Sequence, residues 1–189
     1  MNNDLEDVNR SAVAETDLGD LDRSGRAWRL RFVRTLAHSP ERVWRALTEP
    51  AELEAWFPTT IEGERAAGAP LTFTFRRGEA DAFQGRMIGC EPPRLLEFMW
   101  GTDTIRFELE PVAHGTRLTL YDTVDDNGKA ARDASGWHVC LDGLARLLGG
   151  AQTPAKPAPD WSDVHRLYQQ KFGPEASTVG PPEGHPEAS

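Results

Sequence analysis

Cysteine is scarce in this chain. Cys90 and Cys140 are the two in 189 residues, and no C-x-x-C occurs, so neither a disulfide framework nor a cysteine-based zinc site is expected. Two reduced thiols fit a cytoplasmic protein. Long apolar runs are missing too, since nothing approaches the ~18 residues of a membrane span. Basic charge is outweighed, with 21 Lys and Arg against 30 Asp and Glu and a net charge of −9. With no basic patch to offset that charge, a nucleic-acid partner is not expected. There is no G-x-S-x-G and no glycine-rich phosphate loop. The five histidines, His38, His114, His138, His165 and His185, are scattered without a second ligand at a metal-binding offset. No metal, no cofactor and no catalytic residue is therefore expected.

What is there is a long amphipathic helix over 129–148. Trp137, Cys140, Leu141, Leu144, Leu147 and Leu148 recur at the spacing of one helical face. His138 and Asp142 fall on another face and read as a solvated pair. Gly149-Gly150 closes the helix, because glycine adopts the left-handed cap cheaply. Twenty helical residues span about 30 Å, enough to cross a small sheet, so the stripe wants an apolar sheet face beneath it.

The sequence before that helix supplies one. Residues 1–26 carry seven acidic side chains against three arginines, a net −4, with no aromatic residue. They read as a disordered acidic extension. Trp28, Leu30, Phe32 and Leu36 then alternate with Arg29, Arg31, Val33 and Thr35, the pattern of a half-buried strand. Arg34 shares the apolar face with Phe32 and Leu36, which makes it a candidate polar anchor. Ser39-Pro40 starts a helix, Pro50 stops it, and a second short helix runs into Trp56-Phe57. From Gly63 onward, alternating segments about ten residues apart are separated by turns, as in an antiparallel meander. Phe83 and Met87 fall on one side of one strand, Ile88 and Cys90 on the other. Glu97 alternates against Phe98 and is expected to face solvent. After the long helix, 151–159 reads as a proline-rich linker, 160–173 as a short docked helix, and 174–189 as a disordered tail. The fold class is α+β: a curved antiparallel sheet of about seven strands around a long C-terminal helix, with two short helices after the first strand.

Three stretches carry a family resemblance: SPERVWRALTEPAELEAWF at 39–57, the Pro-Pro turn into RLLEFMW ending at Trp100, and SGWHVCLDGLARLL at 135–148. Together with WSDVHRLYQQKFGP near the end, they are similar to the bacterial branch of the Activator of Hsp90 ATPase homologue family, within the START/Bet v 1-like (SRPBCC) superfamily. His38-Ser39 stands where that family often has Ala-Pro, yet Ser39 still caps the helix. The resemblance spans residues 28–173 and implies a helix-grip domain over 27–150 with a hydrophobic cavity. It implies no single reaction, because such folds host many functions.

The candidate cavity follows from the apolar residues. Trp137, Cys140, Leu141 and Leu144 would form the helix wall. Phe73, Phe75, Phe83, Met87, Phe98, Trp100 and Phe107 would form the sheet wall, and Trp56 and Phe57 the mouth. Mainly apolar pockets suit small hydrophobic ligands, although the same residues could simply fill a core. Three readings stay open: non-catalytic binding of a small hydrophobic ligand, a co-chaperone-like or regulatory protein-interaction module, and an enzyme acting on an apolar substrate. The last has no catalytic constellation behind it.

Overall fold

Alternating apolar residues in short strands and a single long apolar stripe fold together in the obvious way, stripe on sheet. The computed structural model describes residues 18–76, 78, 80–149 and 160–181. In chain order the elements are β1 (Asp20–Asp22), β2 (Arg29–Leu36), α1 (Pro40–Thr48), α2 (Pro50–Leu53), β3 (Thr59–Glu62), β4 (Pro70–Phe75), β5 (Phe83–Glu91), β6 (Leu95–Trp100), β7 (Asp103–Val112), β8 (Gly115–Thr123), α3 (Ala130–Gly149) and α4 (Trp161–Phe172). The strands form one antiparallel sheet in the order β1-β2-β8-β7-β6-β5-β4-β3. The strands from β3 to β8 are a plain meander, and β2 closes on β8. The two short helices carry the chain across the sheet from β2 to its far edge at β3. This is the α+β helix-grip arrangement, with eight strands where about seven are expected.

Local chemistry explains the helix ends. Ser39 accepts a hydrogen bond from the Arg42 N–H, with Pro40 in the first turn and Glu41 beside it, each favourable at a helix start. Asp160 caps α4 by accepting from the Ser162 N–H at 2.8 Å. Gly173 ends α4 with φ +81°, a conformation that favours glycine.

The inner face of the sheet follows the alternation. Leu30, Phe32 and Leu36 of β2, Ile105, Phe107 and Leu109 of β7, and Leu118 and Leu120 of β8 are buried. From α3, Trp137, Leu141, Leu144 and Leu148 pack onto them. Burying each such side chain is worth about 1.5–3 kcal/mol, so the stripe holds the helix on the sheet.

Three expectations are corrected. The acidic extension over 1–26 is not without structure throughout, because β1 pairs with β2 from Asp20↔Arg31 to Asp22↔Arg29. Composition argued against order there, but backbone pairing with β2 and contacts with α4 hold the segment. The Gly19 N–H donates to the Tyr168 hydroxyl at 2.8 Å, and Lys171 donates to the Gly19 carbonyl and to Asp20. Likewise, within the expected tail, Pro174–Ala176 forms a short 3-10 turn and Ala176 is buried. In β5 the register shifts between Met87 and Gly89, with Met87 opposite Phe98 and Cys90 opposite Leu96. This bulge takes up Ile88 as an extra residue, so Met87 and Cys90 share the inner face, where strict alternation separates them. Residues 1–17, the 151–159 linker and 182–189 lie outside the described residues.

Gly19 gives a direct test of the docked segment. A Cβ there would fall 2.4 Å from Phe32 Cε1, inside a buried core. Gly19→Ala is expected to destabilise the protein by about 1–3 kcal/mol through overpacking, read by urea denaturation. An unchanged midpoint would mean that β1 and its flank contribute nothing.

Candidate functional site

The aromatic residues expected to wall a cavity come together as one connected set of rings. Trp100 is the hub, with its ring centre 4.8 Å from those of Phe73 and Phe83, 5.2 Å from Phe57, and 6.4 Å from Phe75 and Trp137. Phe73 stacks on Phe83 at 5.1 Å and tilts against Phe98 at 5.7 Å. Phe107 continues the chain of contacts to Phe98, Trp56 and Trp137. Most of these contacts are edge-on or tilted, the arrangement that aromatic quadrupoles prefer.

Two glycines make room for this packing. Gly85 lies opposite Trp100, and a Cβ on it would meet Phe73 Cε2 at 2.6 Å. Gly143 of α3 lets the Trp56 backbone and Cβ approach to 3.4 and 3.2 Å of where its own Cβ would be. Trp56 also donates its indole N–H to the Ala46 carbonyl at 2.9 Å.

The set has a buried end and an open end. Trp56, Phe57, Phe73, Phe98, Phe107 and Trp137 are buried, as are Met87, Leu141 and Leu144. Trp56 and Phe57 are therefore interior rings, where a mouth is expected. The half-buried members are Phe75, Phe83 and Trp100, so the open end lies along β4, β5 and β6. Cys140 is half-buried against the same core, and burial pushes its thiol up to about 12. At that value it is an inert apolar side chain at neutral pH.

Arg34 is not among these rings. It sits in β2, three strands from β6, about 14 Å at normal strand spacing. One of its nitrogens donates to the Val33 carbonyl, and its charge bears on Tyr168 of α4. Glu97 faces outward as expected and pairs with Arg106 at 3.1 Å. His138 is corrected. It is 1% exposed, with Nδ1 3.1 Å from the Tyr168 hydroxyl and Nε2 3.9 Å from Asp142. Helix periodicity placed it off the apolar stripe, but α4 docks on that second face and buries it.

A second polar group went unread in the sequence. Asp103, Asp122 and Asp133 bring carboxylate oxygens within 4.8 Å of one another. The Lys129 ammonium lies among them, 2.8 Å from Asp103, 2.5 Å from Asp125 and 4.0 Å from Asp133, and Arg132 pairs with Asp133 at 2.9 Å. Burial alone would lower the Lys129 pKa, but the hydrogen bonds to Asp103 and Asp125 outweigh it and hold it above its usual value. Burial raises Asp103 and Asp133, whereas the Lys129 hydrogen bond holds Asp125 well below the usual carboxylate range. The available signal was alternation itself, which puts Asp122 on the same face as Leu118, Leu120 and Val124.

Among the described residues, two surface hollows are lined largely by charged and polar side chains, the first also by Leu21 and Phe172. One, of about 470 Å³, lies between β1 and the end of α4 at Arg23 and Lys171. The other, of about 320 Å³, lies on the outer sheet face around Arg106 and Tyr121. Among the described residues no helix is long and apolar enough to cross a membrane.

Residues 37–149 match the model of the family described as Activator of Hsp90 ATPase homolog 1-like protein. The chain belongs to this family. No curated protein matches it by sequence. Among solved structures, an Enterococcus faecalis protein of unknown function is similar at TM-score 0.68 and 21% identity, over 82% of this chain and 90% of that one. CalU16 from Micromonospora echinospora is similar at TM-score 0.62 and 21% identity, covering 82% and 92%. A Bordetella parapertussis protein is similar at TM-score 0.58 and 26% identity, covering 84% and 93%. The matched span of this Activator of Hsp90 ATPase homolog 1-like chain holds the whole ring set and the Lys129 group, whereas β1, β2 and α4 lie outside it.

The Lys129 group sets a stability test. Lys129→Met leaves Asp103 buried without its cation, which is expected to cost about 3–5 kcal/mol at neutral pH. Lowering the pH should narrow that deficit as the carboxylates take up protons. Urea denaturation at several pH values measures both, and an unaltered midpoint at pH 7 would contradict the assignment.

Proposed function

We propose that this protein binds a small apolar molecule at the open end of the ring set, beside Phe75, Phe83 and Trp100, without catalysing a reaction on it. The supporting observation is Trp100, a half-buried ring in contact with five others. Other large apolar side chains are half-buried too, Trp28, Trp44, Ile61 and Leu147 among them, but Phe75, Phe83 and Trp100 are three half-buried rings in mutual contact, at 5.8, 6.4 and 4.8 Å. Keeping three rings partly open in one place forgoes burial worth about 1.5–3 kcal/mol for each when complete. A ligand that covers them recovers that free energy. Because the rings touch one another, entry means that the ligand takes the place of a rim ring, and Phe83, stacked on Phe73, is the one best placed to yield. Aromatic walls with few polar groups favour a flat or hydrocarbon-rich molecule.

Native mass spectrometry of freshly purified protein is the test. A reproducible excess of roughly a few hundred daltons, the size such pockets take, is expected. Phe83→Lys should remove it, while Ile88→Lys on the same strand should leave it in place. A clean apo mass from cells grown under several conditions would sink this reading.

The family's description supports a second reading, a regulatory module that binds another protein. Pull-downs with the full chain and with residues 1–17 removed separate the two, since that truncation spares β1. A partner captured at constant stoichiometry together with a clean apo mass would favour this second reading.

A further inference from the structure

Asp122 occupies a position that supports an ionised carboxylate poorly. It lies on the inner face of β8, opposite Leu30 of β2 and Ile105 of β7, both fully buried, and is itself 1% exposed. One oxygen, Oδ2, accepts the Trp137 indole N–H at 2.8 Å. The other, Oδ1, is buried and has no hydrogen-bond partner among the described residues. An orphaned carboxylate oxygen at full burial is costly and needs an explanation.

The neighbours supply one. Asp103 of β7 and Asp133 of α3 present oxygens within 4.8 Å, and each already has a cation. Lys129 serves Asp103 at 2.8 Å, and Arg132 serves Asp133 at 2.9 Å. Lys129 also takes the exposed Asp125. Among the described residues no cation is paired with Asp122 itself, and a metal ion placed there would sit against the Lys129 ammonium. The small cation that needs no further room is a proton.

We propose that Asp122 is carried as the neutral carboxylic acid beside the carboxylates of Asp133 and Asp103, whose oxygens lie within 4.8 Å. Its proton is a pH-sensitive latch between the start of α3 and the sheet. Burial and the two neighbouring carboxylates together raise the Asp122 pKa well above its usual value, in keeping with that geometry. The proton also reaches the ring set, since Asp122 orients Trp137, one of its members. Ionising the acid would place a third carboxylate charge between β7 and α3 and loosen the contact that fixes this indole.

The sign of the effect is opposite to that of an ordinary salt-bridged aspartate. In the unfolded chain Asp122 titrates near pH ~4, whereas in the fold it keeps its proton to higher pH. Between those values the unfolded state binds fewer protons, so stability falls as pH rises. Asp122→Asn mimics the neutral acid, with an oxygen for Trp137 and an N–H₂ for the neighbours. Thermal and urea unfolding of the full chain and of this variant, in chelator-treated buffer from pH 4 to pH 9, give the readout. The two should be nearly equal near pH 4. Above that, the unfolding constant of the natural chain should rise relative to the variant's by about tenfold per pH unit until Asp122 ionises in the fold. A difference that does not change with pH, or that grows against the variant, overturns the proposal. So does a rise in Tm with added calcium or magnesium that the variant lacks, which would mean a metal ion in place of the proton. Infrared spectra need no variant. The folded natural protein at pH 7 should show the C=O stretch of a protonated carboxyl that disappears on thermal unfolding, and absence of that band overturns the proposal as well.

Discussion

A sheet with one apolar face must have that face covered, and here the cover is a single helix of about 30 Å. The contact of α3 with the inner face is the constraint on which the remaining elements depend. The meander from β3 to β8 presents the face, and β2 widens it by returning to β8. The short α1–α2 segment crosses it and packs Val43, Leu47, Leu53 and Trp56 into the same core. The free energy comes from apolar burial, which is non-directional. It explains why the helix lies on the sheet better than it explains how the helix is oriented.

Orientation comes from polar groups placed inside. Trp137 is ring and donor at once, packed among phenylalanines and bonded to Asp122. On the opposite flank, Tyr168 gathers the Gly19 N–H and His138 into one place, tying α3, α4 and the segment before β1 together. Buried polar groups of this kind add little net stability when satisfied and cost heavily when broken. Their effect is to make one arrangement of helices much better than its neighbours. The ring set sits on the side of α3 away from Tyr168, so the proposed binding end and the clamped end of the domain are separate.

The candidate site shows how far residue patterns reach. The nine rings were identifiable because aromatic residues recurred at inner-face positions of predicted strands and on the helix stripe. Which of them are open and which are interior was not. Trp56 and Phe57 follow a short helix and look like loop residues, yet Gly143 allows them to enter the core. Asp122 is masked in its strand by apolar neighbours, although the alternation that places Leu120 inside places Asp122 there as well. Arg34 had the right face and the wrong distance, because face is a property of one strand and distance a property of the whole sheet order.

The sequence by itself determined the α+β class, most of the strands and helices, the outward turn of Glu97 and the family, because these follow from short-range periodicity, capping residues and local motifs. Only the tertiary structure decided the rest. It ordered β1 from an acidic segment whose composition argued for disorder, since backbone pairing with β2 requires no apolar side chains. It buried His138, because the helix that covers it begins more than twenty residues later in the chain. It brought Asp103, Asp122 and Asp133 together from two strands and a helix, where their charges interact across a low-dielectric interior. A sequence lists charges one residue at a time, and their energies depend on distances that exist only after the chain has closed.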